Sequence, residues 1–227
     1  MKRYDNEVVL LYGDTHFPYH DINTISFIRG IQELYRPDRI IHMGDVLDMY
    51  SVSSYPKDLN HPDSWTDELK KARACVSELA DIFPEQIILS SNHDDRAYRK
   101  SVIAGVPREF LVPYMQVIGA PKGWKLQNEL RFTIDSTREK WLLSHTLAGG
   151  SMKAALSAGC SVALGHSHTK FGAEACKVGK KVHWALDTGC LISDSGSPFK
   201  YNKINIAKPI RGCVILIGGV PQFQRMY

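Results

Sequence analysis

Gln86-Ile87-Ile88-Leu89-Ser90-Ser91-Asn92-His93-Asp94-Asp95-Arg96 decides how the rest of the chain is read. The run through Leu89 has the length and apolar character of a buried strand. It empties into an amide, an imidazole and a carboxylate, three side chains that bind metal ions. In open α/β sheets the ligand sits at the carboxyl ends of the strands. The pattern repeats outward in both directions. Upstream, Arg39-Ile40-Ile41-His42-Met43 runs into Gly44-Asp45, and Val8-Val9-Leu10-Leu11-Tyr12 runs into Gly13-Asp14-Thr15-His16. Downstream, Trp141-Leu142-Leu143-Ser144 meets His145, and Ser161-Val162-Ala163-Leu164 meets Gly165-His166-Ser167-His168. Each of these apolar runs ends in side chains suited to hard or borderline cations.

Between the runs the elements alternate. Strands are predicted over 7–13, 39–43 and 86–90. A helix is predicted over about 22–35, with Asp21 as its N-cap and Ile22, Ile25, Ile28 and Ile31/Leu34 on one face. A second helix, about 66–83, carries Leu69, Ala72, Val76, Leu79 and Ala80 and stops at Pro84. Residues 46–65 read as a long polar loop, of the kind that is functional when it occurs in a compact domain. A short basic helix through Arg96, Arg99 and Lys100 leads into a helical excursion over the site, punctuated by Pro107, Pro113, Gly119 and Pro121. Residues 124–134 and 140–144 read as one antiparallel pair. A small helix is expected around 151–158. Strands at 161–164, 171–177 and 181–187 form a second sheet, the last two joined at Val178-Gly179-Lys180. Residues 193–211 are loop-rich, and Cys213–Ile217 is the final strand. With no linker in view, residues 1–227 read as a single α/β domain.

Composition removes several classes. The chain has 227 residues, 44% hydrophobic and 23% charged, which is ordinary for a globular domain. It lacks an apolar run near 18 residues, so no membrane span is expected. Five cysteines occur, widely spaced and without a CxxC pair, which argues against a disulfide framework or zinc ribbon and fits a reducing, cytoplasmic setting. A net charge of +4 is too small for a nucleic-acid arm, yet it leaves basic residues away from an acidic site where they can attract a polyanion.

The chemistry follows from residue types and spacing. In an extended segment i and i+2 point the same way, so Asp14 and His16 can grip one cation. Asp45, with two carboxylate oxygens, can bridge two cations. Asn92 offers an amide oxygen; His145, His166 and His168 offer imidazoles. Two mixed nitrogen/oxygen sites sharing one carboxylate suit Mn2+ first, with Ni2+, Fe2+, Zn2+, Co2+ and Mg2+ as alternatives. Two such ions about 3.5–4 Å apart clamp an in-line displacement at phosphorus, with a bridging hydroxide as the nucleophile. His93 is placed to give a proton to the leaving alkoxide. An orienting carboxylate for it would be Asp48, or failing that Asp94.

The ordered set DxH, GDxxD, NHD, H and GHxH resembles that of the calcineurin-like metallophosphoesterase superfamily, over Asp14 to His168. The resemblance implies a sandwich of two mixed β-sheets flanked by helices. It implies one metal on Asp14, His16, Asp45 and His168 and a second on Asp45, Asn92, His145 and His166. His93 becomes the proton donor and Asp48 its partner. Two departures matter. Ser91 stands where the family has Gly before Asn-His-Asp, and Met49-Tyr50 follow Asp48 where the Ser/Thr protein phosphatases have Arg-Gly. With His168 present, the GHSH ending is closer to the phosphodiesterase and nuclease branch than to those phosphatases.

Three segments should frame a substrate: 49–65 with Tyr50, Ser51, Ser53, Ser54 and Tyr55; 95–123, opening on Arg96, Arg99 and Lys100; and 193–211 with Phe199-Lys200-Tyr201, Lys203, Lys208 and Arg211. The expected partner is a phosphate ester, with nucleotides and single-stranded nucleic acid within that class. Three readings follow. The first is a two-metal phosphodiesterase or phosphatase, the second a nuclease on the same site, and the third a non-catalytic scaffold. Neither the oligomeric state nor the native substrate is encoded legibly.

Overall fold

The computed structural model describes residues 6–54, 57, 64–194, 198–199 and 205–227. Tyr55, Pro56, Asn60, His61 and Pro62 of the first framing loop, and Lys200, Tyr201 and Lys203 of the third, lie outside them. Strand β1 (Val8–Tyr12) is buried along its whole length. Its residues divide by alternation: Val8, Leu10 and Tyr12 join one core cluster while Val9 and Leu11 join another. A strand with apolar side chains on both faces must lie between two layers.

The first layer is helical, with α1 (Thr24–Tyr35) and α2 (Trp65–Ile82). The second is a six-stranded sheet in which β1, β2 (Arg39–His42), β3 (Gln86–Leu89) and β4 (Trp124–Gln127) run parallel. Between β3 and β4 the chain forms α3 (Arg96–Ile103) and α4 (Tyr114–Ile118). The third layer is a five-stranded sheet. Its strands are β5 (Glu129–Ile134), β6 (Glu139–Ser144), β7 (Ser161–Leu164), β8 (Phe171–Val178) and β9 (Lys181–Thr188), in the order β5-β6-β7-β9-β8. Helix α5 (Gly150–Ala158) covers its outer face with Ala155 against Leu142, Val162 and Leu164. Strands β10 (Gly212–Ile217) and β11 (Val220–Arg225) complete the first sheet antiparallel to β1. The two mixed sheets meet face to face through Val9, Leu11, Ile41, Met43 and Leu89 on one side and Ile134, Trp141, Leu143, Ala163 and Leu186 on the other. Among the described residues no helix is long and apolar enough to cross a membrane.

Register places the site. Tyr12 pairs with His42 and His42 with Ile88, so three strands end side by side. In the other sheet Ser144 pairs with Leu164, which sets His145 beside Gly165.

The structure departs from the sequence expectations in four places. Residues 124–134 are two strands, not one. Trp124 pairs with Gln86 in the first sheet, whereas Glu129 pairs with Ser144 in the second, with Asn128 at the crossing. In α1 only Ile28 and Ile31 of the apolar row are buried; Ile22 precedes the helix and is 92% exposed, and Leu34 is 61% exposed. Asp21 is not the N-cap. It makes a turn ahead of the helix, accepting from Asn23 N at its carboxylate and from Thr24 N at its carbonyl. Strand β11 was not expected; Gly218-Gly219 turns the chain back into it at positive φ.

Candidate metal centre

The loops that leave β1 and β2 are laced together. Asp14 N donates to Gly44 O, His16 N to Asp45 O and Phe17 N to Val46 O, extending the parallel pairing past the strands. Three candidate ligands in these turns, Asp14 (φ 50°), His16 (48°) and Asp45 (52°), and a fourth after β7, His166 (66°), have left-handed backbone. Non-glycine residues adopt this region at a cost of about 1–3 kcal/mol each, and such strain collects at functional sites. A hidden lock sets the two turns. Gly44 N donates to His42 Nδ1, leaving Nε2–H to face Thr15 Oγ1 at 3.1 Å, and that hydroxyl donates to Val46 O. Burial pushes His42 down to about 3, against the pull of Asp14 and Asp45, so this ring is neutral.

Two of the candidate ligand rings are aimed from behind. His16 Nδ1 donates to Asp48 Oδ2 at 2.9 Å, and His145 Nδ1 donates to the Met43 carbonyl at 2.9 Å. Both rings therefore turn Nε2 inward. There, Asp45 Oδ2 lies 3.3 Å from His16 Nε2 and 3.4 Å from His145 Nε2, buried and without a hydrogen-bond partner. His168 Nε2 lies 3.1 Å from His16 Nε2 and 3.2 Å from Asp14 Oδ1. Asn92 Oδ1 lies 2.9 Å from His145 Nε2. Asp14, His16, Asp45 and His168 converge as one group able to hold a metal ion; Asp45, His145 and the exposed His166 converge as another. The donor set fits a pair of cations, since Asp45 is shared and its orphaned oxygen faces both groups.

Close approach needs the glycines. A Cβ on Gly165 would stand 2.8 Å from Asp14 Oδ2, and one on Gly44 would stand 2.7 Å from His145 Nδ1.

The electrostatics suit cations. Burial opposes charge on His16, but the Asp45 and Asp48 carboxylates beside it outweigh that and raise the ring to about 10. Burial opposes charge on His145 too, and Asp45 then lifts it to about 9. Asp45 is held well below the usual carboxylate range: burial works against this, but the charged His145 and His16 rings beside it prevail. In the absence of metal, protons hold the inward nitrogens.

His93 is placed differently from the expectation. Its Nδ1 donates to the Asp48 backbone carbonyl at 2.8 Å, while the Asp48 carboxylate is 3.8 Å away and already engaged by His16. Asp94, the other expected partner, is turned away: it accepts from Ser91 Oγ at 2.7 Å and from the Tyr114 hydroxyl. Ser91 thus uses its hydroxyl where a glycine would have none. His93 Nε2 accepts from Arg96 NH2 at 2.8 Å. A carbonyl can only accept and a guanidinium can only donate, so His93 is neutral here. Burial, with the His16 charge, pushes it down to about 4.

Sequence reasoning named Arg96 and Phe199 only as residues of framing segments. Phe199 is buried with its ring edge-on to His16 at 5.4 Å. Also missed was buried Glu68, which accepts from Tyr50 N and Ser51 N at 2.7 Å each and ties the first framing loop to α2. His20 packs on Phe17, and His183 sits near Glu139, outside the centre.

Among solved structures, an archaeal phosphodiesterase superposes with a TM-score of 0.53 at 15% identity, over 96% of this chain and 99% of that one. The fold is that of the calcineurin-like metallophosphoesterases. Fainter metallophosphoesterase-fold similarity extends to the phosphoesterase YfcE from E. coli (TM-score 0.48, 12% identity, 92% of this chain and 87% of that one). It also extends to Vacuolar Protein Sorting 29 from Cryptosporidium parvum (0.44, 15%, 97% of both). No protein-family model and no curated protein sequence matches the chain.

Proposed function

We propose that this single domain is a two-metal phosphoesterase acting on phosphate esters, with phosphodiesters and nucleotides as its first substrates and Mn2+ as its first metal. The observation that carries the reading is Asp45 Oδ2, buried, without a well-formed hydrogen bond and set at ion-pair distance between the inward nitrogens of His16 and His145. Burying such a carboxylate costs several kcal/mol, and bound cations would offset that cost in place of the protons the two rings otherwise carry. Asp14, His16, Asp45 and His168 would hold one ion; Asp45, Asn92, His145 and His166 would hold the other. Bound divalent ions supply Lewis acidity toward the phosphoryl oxygens and an activated water.

The remaining roles belong to the chain. Asp48 fixes the His16 ring through Nδ1. The Asp48 carbonyl fixes His93 with Nε2 toward the centre, 4.0 Å from Asp45 Oδ2. To donate to a leaving alkoxide, that nitrogen would first take up a proton, as it can once Arg96 has turned away from it.

The test is to strip the protein of metal, restore Mn2+, Ni2+, Zn2+ or Mg2+ in turn, and follow hydrolysis of bis(4-nitrophenyl) phosphate beside 4-nitrophenyl phosphate. Metal-dependent turnover abolished in Asp45→Asn and cut in His93→Ala is expected. A folded protein that binds no metal and turns over neither ester would leave the scaffold reading. A nuclease is the second reading, favoured by the basic row Arg96, Arg99 and Lys100 on α3 beside the centre. It requires turnover of single strands that falls steeply with salt.

A further inference from the structure

Arg96 stands at the first position of α3, one turn after His93. Its side chain is only 15% exposed. NH1 donates to the Asp48 carbonyl at 2.8 Å and NH2 to His93 Nε2 at 2.8 Å, so both close partners are neutral. The nearest carboxylate oxygen, Asp48 Oδ1, is 3.5 Å from NH1, and the other oxygen of that group is held by His16. A guanidinium offers five donors in a planar fork suited to phosphate. Here it is largely desolvated, meets Asp48 Oδ1 only at 3.5 Å through NH1, spends NH2 on the neutral His93 ring, and flanks the donor cluster through His93.

Phosphate chemistry says what such a fork could take. The reacting phosphoryl of a diester has two non-bridging oxygens, and two cations can account for both. A monoester has a third. A nucleotide chain carries a neighbouring phosphate. Either presents an anionic oxygen that the cations leave over.

We propose that Arg96 forms a phosphoryl-oxygen subsite beside the metal centre, receiving the anionic oxygen of a phosphate ester that the cations do not hold. The subsite rests on the phosphoesterase reading but is tested apart from it. His93 Nε2 borrows one donor of the fork until phosphate arrives.

The experiment compares full-length protein loaded with Mn2+ with its Arg96→Gln and Arg96→Lys variants. Inorganic phosphate binding is measured by calorimetry and bound metal is counted. Then kcat and KM are measured on 4-nitrophenyl phosphate, a 5′-phosphorylated dinucleotide and bis(4-nitrophenyl) phosphate, whose diester has no oxygen to spare. In Arg96→Gln, phosphate affinity should fall about ten-fold or more with the metal count unchanged, and Arg96→Lys should recover part of it. The loss in kcat/KM should lie in KM and reach about ten-fold where an extra oxygen exists, against less than about three-fold on the bis-aryl diester. Loss on the monoester alone places the third oxygen of the reacting group on Arg96; loss on the dinucleotide alone places the neighbouring phosphate there. Unchanged phosphate affinity overturns the proposal, as does an equal fall on all three esters together with the metal count. If phosphate binding responds as stated but the parent protein cleaves none of the esters, the subsite stands and the hydrolase reading fails.

Discussion

The floor of the centre and its rim are built by different rules. The floor, from Asp14, His16, Asp45, Asn92, His145, His166 and His168, is delivered by strand ends that register places side by side. The rim, from Arg96, Phe199 and the Glu68-anchored loop, is delivered by helices and loops meeting from distant parts of the chain. The floor is a matter of which residue ends a strand. The rim is a matter of what else is nearby, and it is where substrate choice would be made.

Substitution should separate the two regions by size of effect. On the floor, Asp45→Asn removes the shared charge. Turnover of an aryl phosphate ester should drop by about a thousand-fold or more, with bound metal falling below two ions per chain. Retained turnover in this variant would mean the floor is not the reaction centre. One step behind it, Asp48→Asn keeps the shape but weakens the grip on His16 Nδ1. Metal affinity and turnover should decline by about 10–100-fold, read by metal titration and initial rates.

Acid probes the same division. His16 and His145 rise to about 10 and 9 in the metal-free protein, so an incoming ion must displace protons from them. Lowering the pH below 9 should weaken the ion's apparent affinity by about ten-fold per unit for each proton displaced. A pH-independent metal affinity would show that these nitrogens are not ligands. Behind the floor, His42 is neutral, pushed down to about 3 by burial, against the ordinary histidine value of about 6.5 in the unfolded chain. Because its folded value is depressed, its contribution is complete above pH 6.5 and is lost as pH falls from 6.5 toward 3. The slope is about 1.4 kcal/mol per unit. Urea melts across that window should lose this slope in His42→Gln.

The smallest effect belongs far from both regions. Ile22→Ser and Leu34→Ser should change stability by less than about 0.5 kcal/mol, although the apolar spacing had set Ile22, and Leu34 as an alternative to Ile31, on the apolar face of the helix.

That last case shows what a sequence can and cannot carry. The strands β1, β2, β3, β6 and β7 and the residues that end them are local facts, apolar runs closed by polar groups, and they stand where the spacing put them. The split of 124–134 between two sheets is not local. Nothing in Trp124–Ile134 itself says that Trp124 will pair with Gln86 and Glu129 with Ser144. The same holds for His93. The sequence offers Asp48, three residues after Asp45, and Asp94 as orienting carboxylates, but His16 takes one and Ser91 with Tyr114 takes the other, so a backbone carbonyl does the work. Arg96 could have been found from its i+3 spacing to His93 in a nascent helix turn, a signal too common to single out alone.

The most direct test of the account is a titration of Mn2+ into metal-stripped protein, counting bound ions while following cleavage of bis(4-nitrophenyl) phosphate. The account predicts two ions per chain, with turnover appearing as the second site fills. A folded chain that binds no Mn2+, or that binds it in numbers unaltered by Asp45→Asn, would contradict it.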